Sequence, residues 1–366
     1  MKLTIERSAL LKALGHVQSV VERRNTIPIL SNVLLSADAE GVTLSATDLD
    51  MEIVDVTDAE VSGQGQITAP AQILYDIVRK LPEGAQVALS FAGDDPRLSV
   101  QAGRSRFALP VLPAGDFPVM SSEGVPDPFV LQTAELKRLI DKTRFAISTE
   151  ETRYYLNGLY LHAVNEGGAT RLRAVATDGH RLALAEMEAP AGAVGLPGVI
   201  VPRKTITELR RLLDDAGESV DVHVSPSKVR FEFGRASLTS KVIDGSFPDY
   251  VRVIPKDNQK LVRIDNALFA AAVDRVATIS AEKSRSVKMA VESGKMTLTV
   301  RNMEAGQGVE ELEMDYDGEP FEIGFNARYL LDVAGQIEGE EAEMRFNDRR
   351  LPPWCSIRAT RACSTC

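Results

Sequence analysis

The chain has 366 residues, 44% hydrophobic and 26% charged, the balance of an ordinary globular protein with room for two or three domains. No apolar run reaches the roughly 18 residues of a membrane-spanning helix. The N-terminal MKLTIERSALLKAL carries charges inside its apolar run and has no small-residue cleavage site, so a cytoplasmic location without membrane contact is expected. The net charge of −10 speaks against a nucleic-acid partner unless the charge is segregated, with an acidic shell around one basic face.

In chain order, residues 7–22 place Leu10, Leu11, Leu14, Val17, Val20 and Val21 at helical spacing, which predicts an amphipathic helix. IPILSNVLLSA and GVTLSATDLDMEIVDV read as strands with a turn at 39–41. QITAP is a short strand ending at Pro70, where a first helical turn tolerates proline, and AQILYDIVRKLPEG is a helix stopped by Pro82 and Gly84. QVALSFAGDDPRLSVQAGRSRFALPVL is a strand meander with turns at 93–96 and Gly103, and PAGDFPVMSSEGVPDP reads as a linker.

This order recurs. Helix-opening segments appear again at FVLQTAELKRLIDKTRFAIS and LVRIDNALFAAAVDRVATIS, and second helices at VPRKTITELRRLL and FNARYLLDVAGQI. ATDLDMEI has a counterpart in ATDGHRLAL. The period is roughly 125 residues, which is the size of a domain rather than of a solenoid repeat. Three similar domains are expected, at 1–125, 126–255 and 256–366, each α+β with two helices beside antiparallel strands. The closing meander of the third, after AEMRFND, is not legible.

The helices carry the basic charge: Arg23 and Arg24 after the first, Arg79 and Lys80 on the second, Lys137, Arg138, Lys142 and Arg144 around the third, and Arg203, Lys204, Arg210 and Arg211 on the fourth. Acids gather instead in strands and loops, at Asp48, Asp50, Glu52, Asp55, Glu310, Glu311 and Glu313 among others. Solvated helix faces explain any single helix. Several equivalent helices with one bias suggest a basic track that holds phosphates without reading bases.

Taken together, RRNTIPILSNVLL (23–35), ATDLDMEI (46–53), AGRSRFALPVLPAGDFP (102–118), TRYYLNGLYL (152–161), ATDGHRLAL (176–184), DGSFPDYVRVIP (244–255), AEKSRSVKM (281–289) and FNARYLLDV (325–333) closely resemble the bacterial DNA polymerase III beta subunit, the sliding-clamp family. The resemblance implies three clamp domains per chain and a head-to-tail homodimer closing a pseudo-sixfold ring around double-stranded DNA. It implies a processivity factor without catalytic chemistry or cofactor. The implied partners are the replicative polymerase alpha subunit, the clamp-loader complex and other clamp-motif proteins.

Residue by residue, the resemblance implies DNA contacts at Arg24, Tyr154 and Tyr155, beside the basic Arg79, Lys80, Lys137, Arg203, Lys204, Arg210 and Arg211. Glu150 stands where the family often shows glutamine. It implies a partner-peptide pocket of Leu156, Thr177, Gly179, His180, Arg181, Leu182, Pro248, Arg252, Val253, Asn326 and Tyr329, apolar residues forming the walls and Arg181, Arg252 and Asn326 bonding the peptide's polar edge. It implies a ring seam of Phe107 and Leu109 against Thr278 and Ile279, with Arg104 and Arg106 nearby.

The pattern holds to Asp348 and then fails. Cys355, Cys363 and Cys366 all lie in the last twelve residues, beside the only tryptophan, Trp354. A reading-frame shift, a variant tail, and a metal or redox site are the three readings, the last short of the four ligands zinc wants. If the shift is real, the third domain loses strand pairs. A hydrolase built on Asp48, Asp178 and His180 is the rival function. With four histidines, no H-x-H or H-E-x-x-H pair and no phosphate-cradling glycine loop, it has little chemistry to draw on, and the repeated ATD reads better as a recurring strand-turn. A scaffold without a DNA role is the second rival.

Overall fold

The computed structural model describes residues 1–22, 26–93, 96–121, 124, 126–255, 258–280, 285–347 and 356–359. The chain divides into two compact units, 1–247 and 248–366. Arg23, Arg24, Trp354 and the three cysteines lie outside the described residues.

The first repeat runs β1 (Lys2–Glu6), α1 (Arg7–Val17), β2 (Asn32–Asp38), β3 (Gly41–Thr47), β4 (Met51–Thr57), β5 (Glu60–Gly63), β6 (Gly65–Pro70), α2 (Ala71–Lys80), β7 (Gln86–Ser90), β8 (Arg97–Ala102) and β9 (Ser105–Pro110). The second gives β10 (Phe129–Gln132), α3 (Thr133–Asp141), β11 (Gly158–Glu166), β12 (Ala169–Thr177), β13 (Leu182–Glu188), β14 (Val199–Pro202), α4 (Arg203–Leu212), β15 (Ser219–Val224), β16 (Lys228–Phe233) and β17 (Ala236–Lys241). The third gives β18 (Lys260–Asp265), α5 (Asn266–Ala277), β19 (Ser286–Glu292), β20 (Lys295–Asn302), β21 (Gly306–Glu313), β22 (Phe321–Asn326), α6 (Ala327–Ala334), β23 (Glu341–Phe346) and β24 (Ser356–Ala359). All three thus follow strand, helix, hairpin group, helix, closing strands, with antiparallel pairing throughout.

Local rules set the elements. Leu3 and Ile5 alternate inward along β1, and Glu6 then caps α1 by accepting from the backbone N–H of Ser8 (2.7 Å) and Ala9 (3.1 Å). The helix expected to reach residue 22 ends at Val17. Its last carbonyls leave the helical ladder: Arg211 donates to Gly15 O (3.1 Å) and His16 O (2.9 Å), which a continuing helix would reserve for residues 19 and 20. The expected strand at IPILSN begins only at Asn32, because Pro28 opens a 3-10 turn over Pro28–Ser31. The 114–121 linker segment is docked rather than loose, with Phe117 buried against Ile29 and Leu30.

In the first unit, the order β10-β15-β16-β17-β4-β3-β2-β6 makes one sheet from two repeats. The joint is β17 on β4, with Leu238 opposite Ile53 and Thr239 opposite Glu52. A five-stranded sheet β5-β1-β7-β8-β9 and a four-stranded sheet β13-β12-β11-β14 complete the unit. Helices α1 to α4 turn Leu10, Leu14, Leu74, Val78, Leu136, Leu139, Ile206 and Leu209 onto this framework. Each fully buried leucine or valine contributes about 1.5–3 kcal/mol.

In the second unit, sheets β21-β20-β19-β22 and β18-β23-β24 enclose Phe269, Val273, Met289, Leu298 and Phe346. The closing strand that the sequence did not reveal is β24, pairing with β23 from Ala342 opposite Ala359 to Arg345 opposite Ser356. Among the described residues this sheet has three strands where the first repeat has five, and no counterpart of β9.

Candidate nucleic-acid and partner sites

The two ATD segments fold into one hydrogen-bonded turn, twice. In the first, Thr47 Oγ1 donates to Met51 O, Leu49 N donates to Thr47 Oγ1, and Asp48 Oδ1 accepts from the N–H of Asp50 and Met51. In the second, Thr177 Oγ1 donates to Arg181 O, Gly179 N to Thr177 Oγ1, and Asp178 Oδ1 accepts from His180 N and Arg181 N. In both aspartates Oδ1 is taken by turn geometry, the physical content of the recurring strand-turn reading.

The second turn holds five of the expected pocket residues. Arg181 donates to Asp178 Oδ2 (3.1 Å) and Phe145 O (2.7 Å), its guanidinium 5.1 Å from the Phe145 ring centroid, while Gly179 and His180 are exposed. Leu156 is buried within this unit. In the second unit, Arg252 pairs with Asp249 (2.7 Å), and Pro248 and Val253 are exposed. Asn326 uses its Oδ1 to cap α6 through Arg328 N (2.9 Å), which leaves its amide N–H groups as donors. Tyr329 is half-buried one turn on.

The predicted basic track divides in two. Arg210 is held by Asp141 (2.8 Å) and Asp214 (2.7 Å), and Lys137 by Asp214 (3.1 Å). Lys204 reaches Asp48 (2.5 Å) and Glu22 (3.0 Å), and Arg211 binds Glu208, Ser19 and the end of α1. Burial alone would pull the Lys204 ammonium down, but its bonds to Asp48 and Glu22 outweigh that and raise it. These four tie helices and repeats together. Arg79, paired with Asp76 one turn back, stays exposed, as do Lys80 and Arg203. The last-turn placement of Arg79 and Lys80 also complements the α2 dipole.

Tyr154 and Tyr155 meet edge to face at 5.8 Å on the 3-10 segment Glu151–Leu156, with Tyr154 54% exposed. Glu150 is paired with Arg153, so this acid has its own counter-charge. On β9, Phe107 is exposed while Leu109 is buried in the first core. Thr278 caps α5, and Ile279 is half-buried against β21. Among the described residues, no cluster of three His, Cys, Asp or Glu side chains could hold a metal, and no helix is long and apolar enough to cross a membrane.

Three family models match in succession: the N-terminal, central and C-terminal domains of the DNA polymerase III beta subunit, at residues 1–121, 130–249 and 251–359. The chain belongs to the DNA polymerase III beta-subunit family. The beta sliding clamp of Caulobacter vibrioides NA1000 is 76% identical over 352 residues, covering 96% of this chain and 95% of that protein. That of Escherichia coli K12 is 41% identical over 351 residues, covering 95% and 93%. A crystal structure of the Bartonella birtlesii sliding clamp bound to griselimycin aligns with a TM-score of 0.95 at 47% identity, covering 98% of this chain and 96% of that one.

Sequence reasoning missed Arg153. An ideal Cβ on Gly179, whose φ is +87°, would lie 2.4 Å from Arg153 Nη1, so the turn and the tyrosine segment are fitted to each other. No local spacing links residues 153 and 179. It also missed that Lys204, Arg210 and Arg211 are engaged by groups on other elements, which no local pattern around each cation discloses.

Proposed function

We propose that the chain works as a DNA sliding clamp: two copies close head to tail into a ring around duplex DNA and tether the replicative polymerase to its template. It is a processivity subunit rather than a catalyst, and topology supplies the retention. The observation that carries this reading is the succession of three like-ordered domains, each matched by a different domain of the beta-subunit family. An acidic chain suits the task, since strong phosphate contacts would hinder sliding.

Arg79, Lys80 and Arg203 are the proposed phosphate-facing cations, with Arg24, Tyr154 and Tyr155 as further contacts. Lys137, Lys204, Arg210 and Arg211 add to the field but are first engaged with acids. Leu156, Thr177, Gly179, His180, Arg181 and Leu182 of the second repeat, with Pro248, Arg252, Val253, Asn326 and Tyr329, are proposed to take the extended clamp-binding peptide of the polymerase alpha subunit, the clamp loader and other partners. Phe107 and Leu109 of β9, with Thr278 and Ile279, are proposed to form the ring seam.

Sedimentation at low micromolar concentration tests the first step, with a species near twice 39.8 kDa expected. Retention on nicked circular DNA after loading by an ATP-driven loader, and release on linearisation, tests the second. A protein that stays equally on linear and circular DNA refutes topological binding. A monomer refutes the ring.

A further inference from the structure

One imidazole stands where the first two repeats meet. His16, in the last turn of α1, is 6% exposed. Its Nδ1 lies 2.5 Å from Asp55 Oδ2 on β4 of the same repeat, and its Nε2 lies 2.9 Å from Asp215 Oδ2, just past α4 of the next. Both partners are carboxylate oxygens, and both are acceptors. A neutral imidazole has one N–H and one lone pair, so it can satisfy one carboxylate and must turn its lone pair on the other. Only a ring carrying both protons, or the same extra proton shared with a carboxylate, suits this geometry.

The surroundings agree. Arg211 of α4, steadied by Glu208, donates to the carbonyls of Gly15 and His16 and to Ser19 Oγ (2.6 Å), so the second repeat grips this turn from two sides. Lys12, one turn back on α1, and Asp214 act on Asp215 from opposite signs. Tyr75 of α2 lies near Gly15, and β3 carries no titratable side chain.

We propose that His16 is a proton-operated latch between the first and second repeats, closed while its imidazolium bridges Asp55 and Asp215 and loosened when the proton is lost. Burial by itself would pull the imidazole down, but the bonds to Asp55 and Asp215 outweigh it and raise it above the ordinary histidine value of about 6.5. His16 in turn holds the Asp215 carboxyl below the ordinary aspartate range. A raised histidine contributes stability that is complete below about pH 6.5 and disappears as pH climbs through the raised value. A lowered aspartate contributes stability that fails only in acid, as pH falls through the lowered value. The latch is therefore closed between these limits and opens on the alkaline side.

Selective 15N-histidine labelling suits the test, because the chain has only four histidines. One imidazole, absent in His16→Gln, is expected to titrate above the ordinary value of about 6.5, and Asp215→Asn is expected to bring it down. Hydrogen exchange across the β4–β17 joint, corrected for the intrinsic rate, is expected to rise with pH by up to about tenfold per unit through that titration. The rise is expected to vanish in His16→Gln. Asp215→Asn guards against misfolding of the His16 variant, because Asp215 is half-exposed. A His16 that titrates at or below about 6.5 overturns the proposal, as does corrected exchange at the joint that is flat with pH in the unmodified protein.

Discussion

Gly179→Ala is the sharpest single test of how the partner-site turn is held. At φ +87° an L-residue incurs about 1–2 kcal/mol, while the stiffer unfolded chain returns about 0.4–1 kcal/mol. The new Cβ also meets Arg153 Nη1 at 2.4 Å, and since that atom ends a flexible side chain, the guanidinium swings away and gives up its pairing with Glu150. A partly exposed pair of this kind contributes about 0.2–1 kcal/mol. The net loss is about 1–2 kcal/mol. In a unit the size of residues 1–247 this lowers the melting temperature by about 2–8 °C in calorimetry. Arg153→Ala removes the collision in advance, so the double variant is expected to lose less than the sum of the two singles. Strict additivity, or a Gly179→Ala protein that melts with the parent, refutes the fitted contact.

The remaining expectations concern charge and assembly. Reversing Arg79 and Lys80 to glutamate is expected to weaken binding to a short duplex and flatten the log-affinity against log-salt slope by about two, read by anisotropy across a salt series. Arg211→Ala is expected to act on stability instead, costing about 1–3 kcal/mol by stranding the α1 carbonyls, with the DNA salt slope little changed. Glu52 is buried, and burial pushes its carboxyl up against the smaller opposing pull of Met120 N–H and Arg230. A raised carboxyl loses stability as pH rises, so Glu52→Gln is expected to melt higher than the parent at pH 7, the gain fading as pH approaches about 4. Phe107→Ala is expected to raise the dimer dissociation constant about tenfold in dilution sedimentation.

The repeat order, the α+β class and most strands were legible because they rest on local periodicity: Leu3 and Ile5 alternate along β1, and Ile206, Leu209 and Leu212 fall on one face of α4. What was not legible depended on distant partners. The end of α1 is set by Arg211, nearly two hundred residues on, and the neutralisation of Lys204 by Asp48 in another repeat. The sheet joint between β17 and β4 likewise could not be read from either strand alone, since it rests on pairing between residues of different repeats. Leu109, which the resemblance puts at the ring seam, shares a sheet face with Leu98 and is buried in this chain's own core, a packing that no local spacing discloses.

The two ATD turns show how one local structure is put to different ends. The backbone bonds match pair for pair, but Asp48 sends its second oxygen to Lys204 of the next repeat, whereas Asp178 sends its own to Arg181 within the turn. The first turn thereby joins repeats, and the second keeps its charge balance internal. The left-handed position tells the same story: Leu49 occupies it at φ +78°, and Gly179 at +87°. At Gly179 the Arg153 guanidinium stands in the space a Cβ would take, whereas Leu49 already carries a Cβ at its own left-handed position. Glycine at 179 is therefore required twice over, by φ and by Arg153, and leucine at 49 bears only the first cost. A substitution that moves Arg153 should relax the demand for glycine at 179 without making leucine there free of strain.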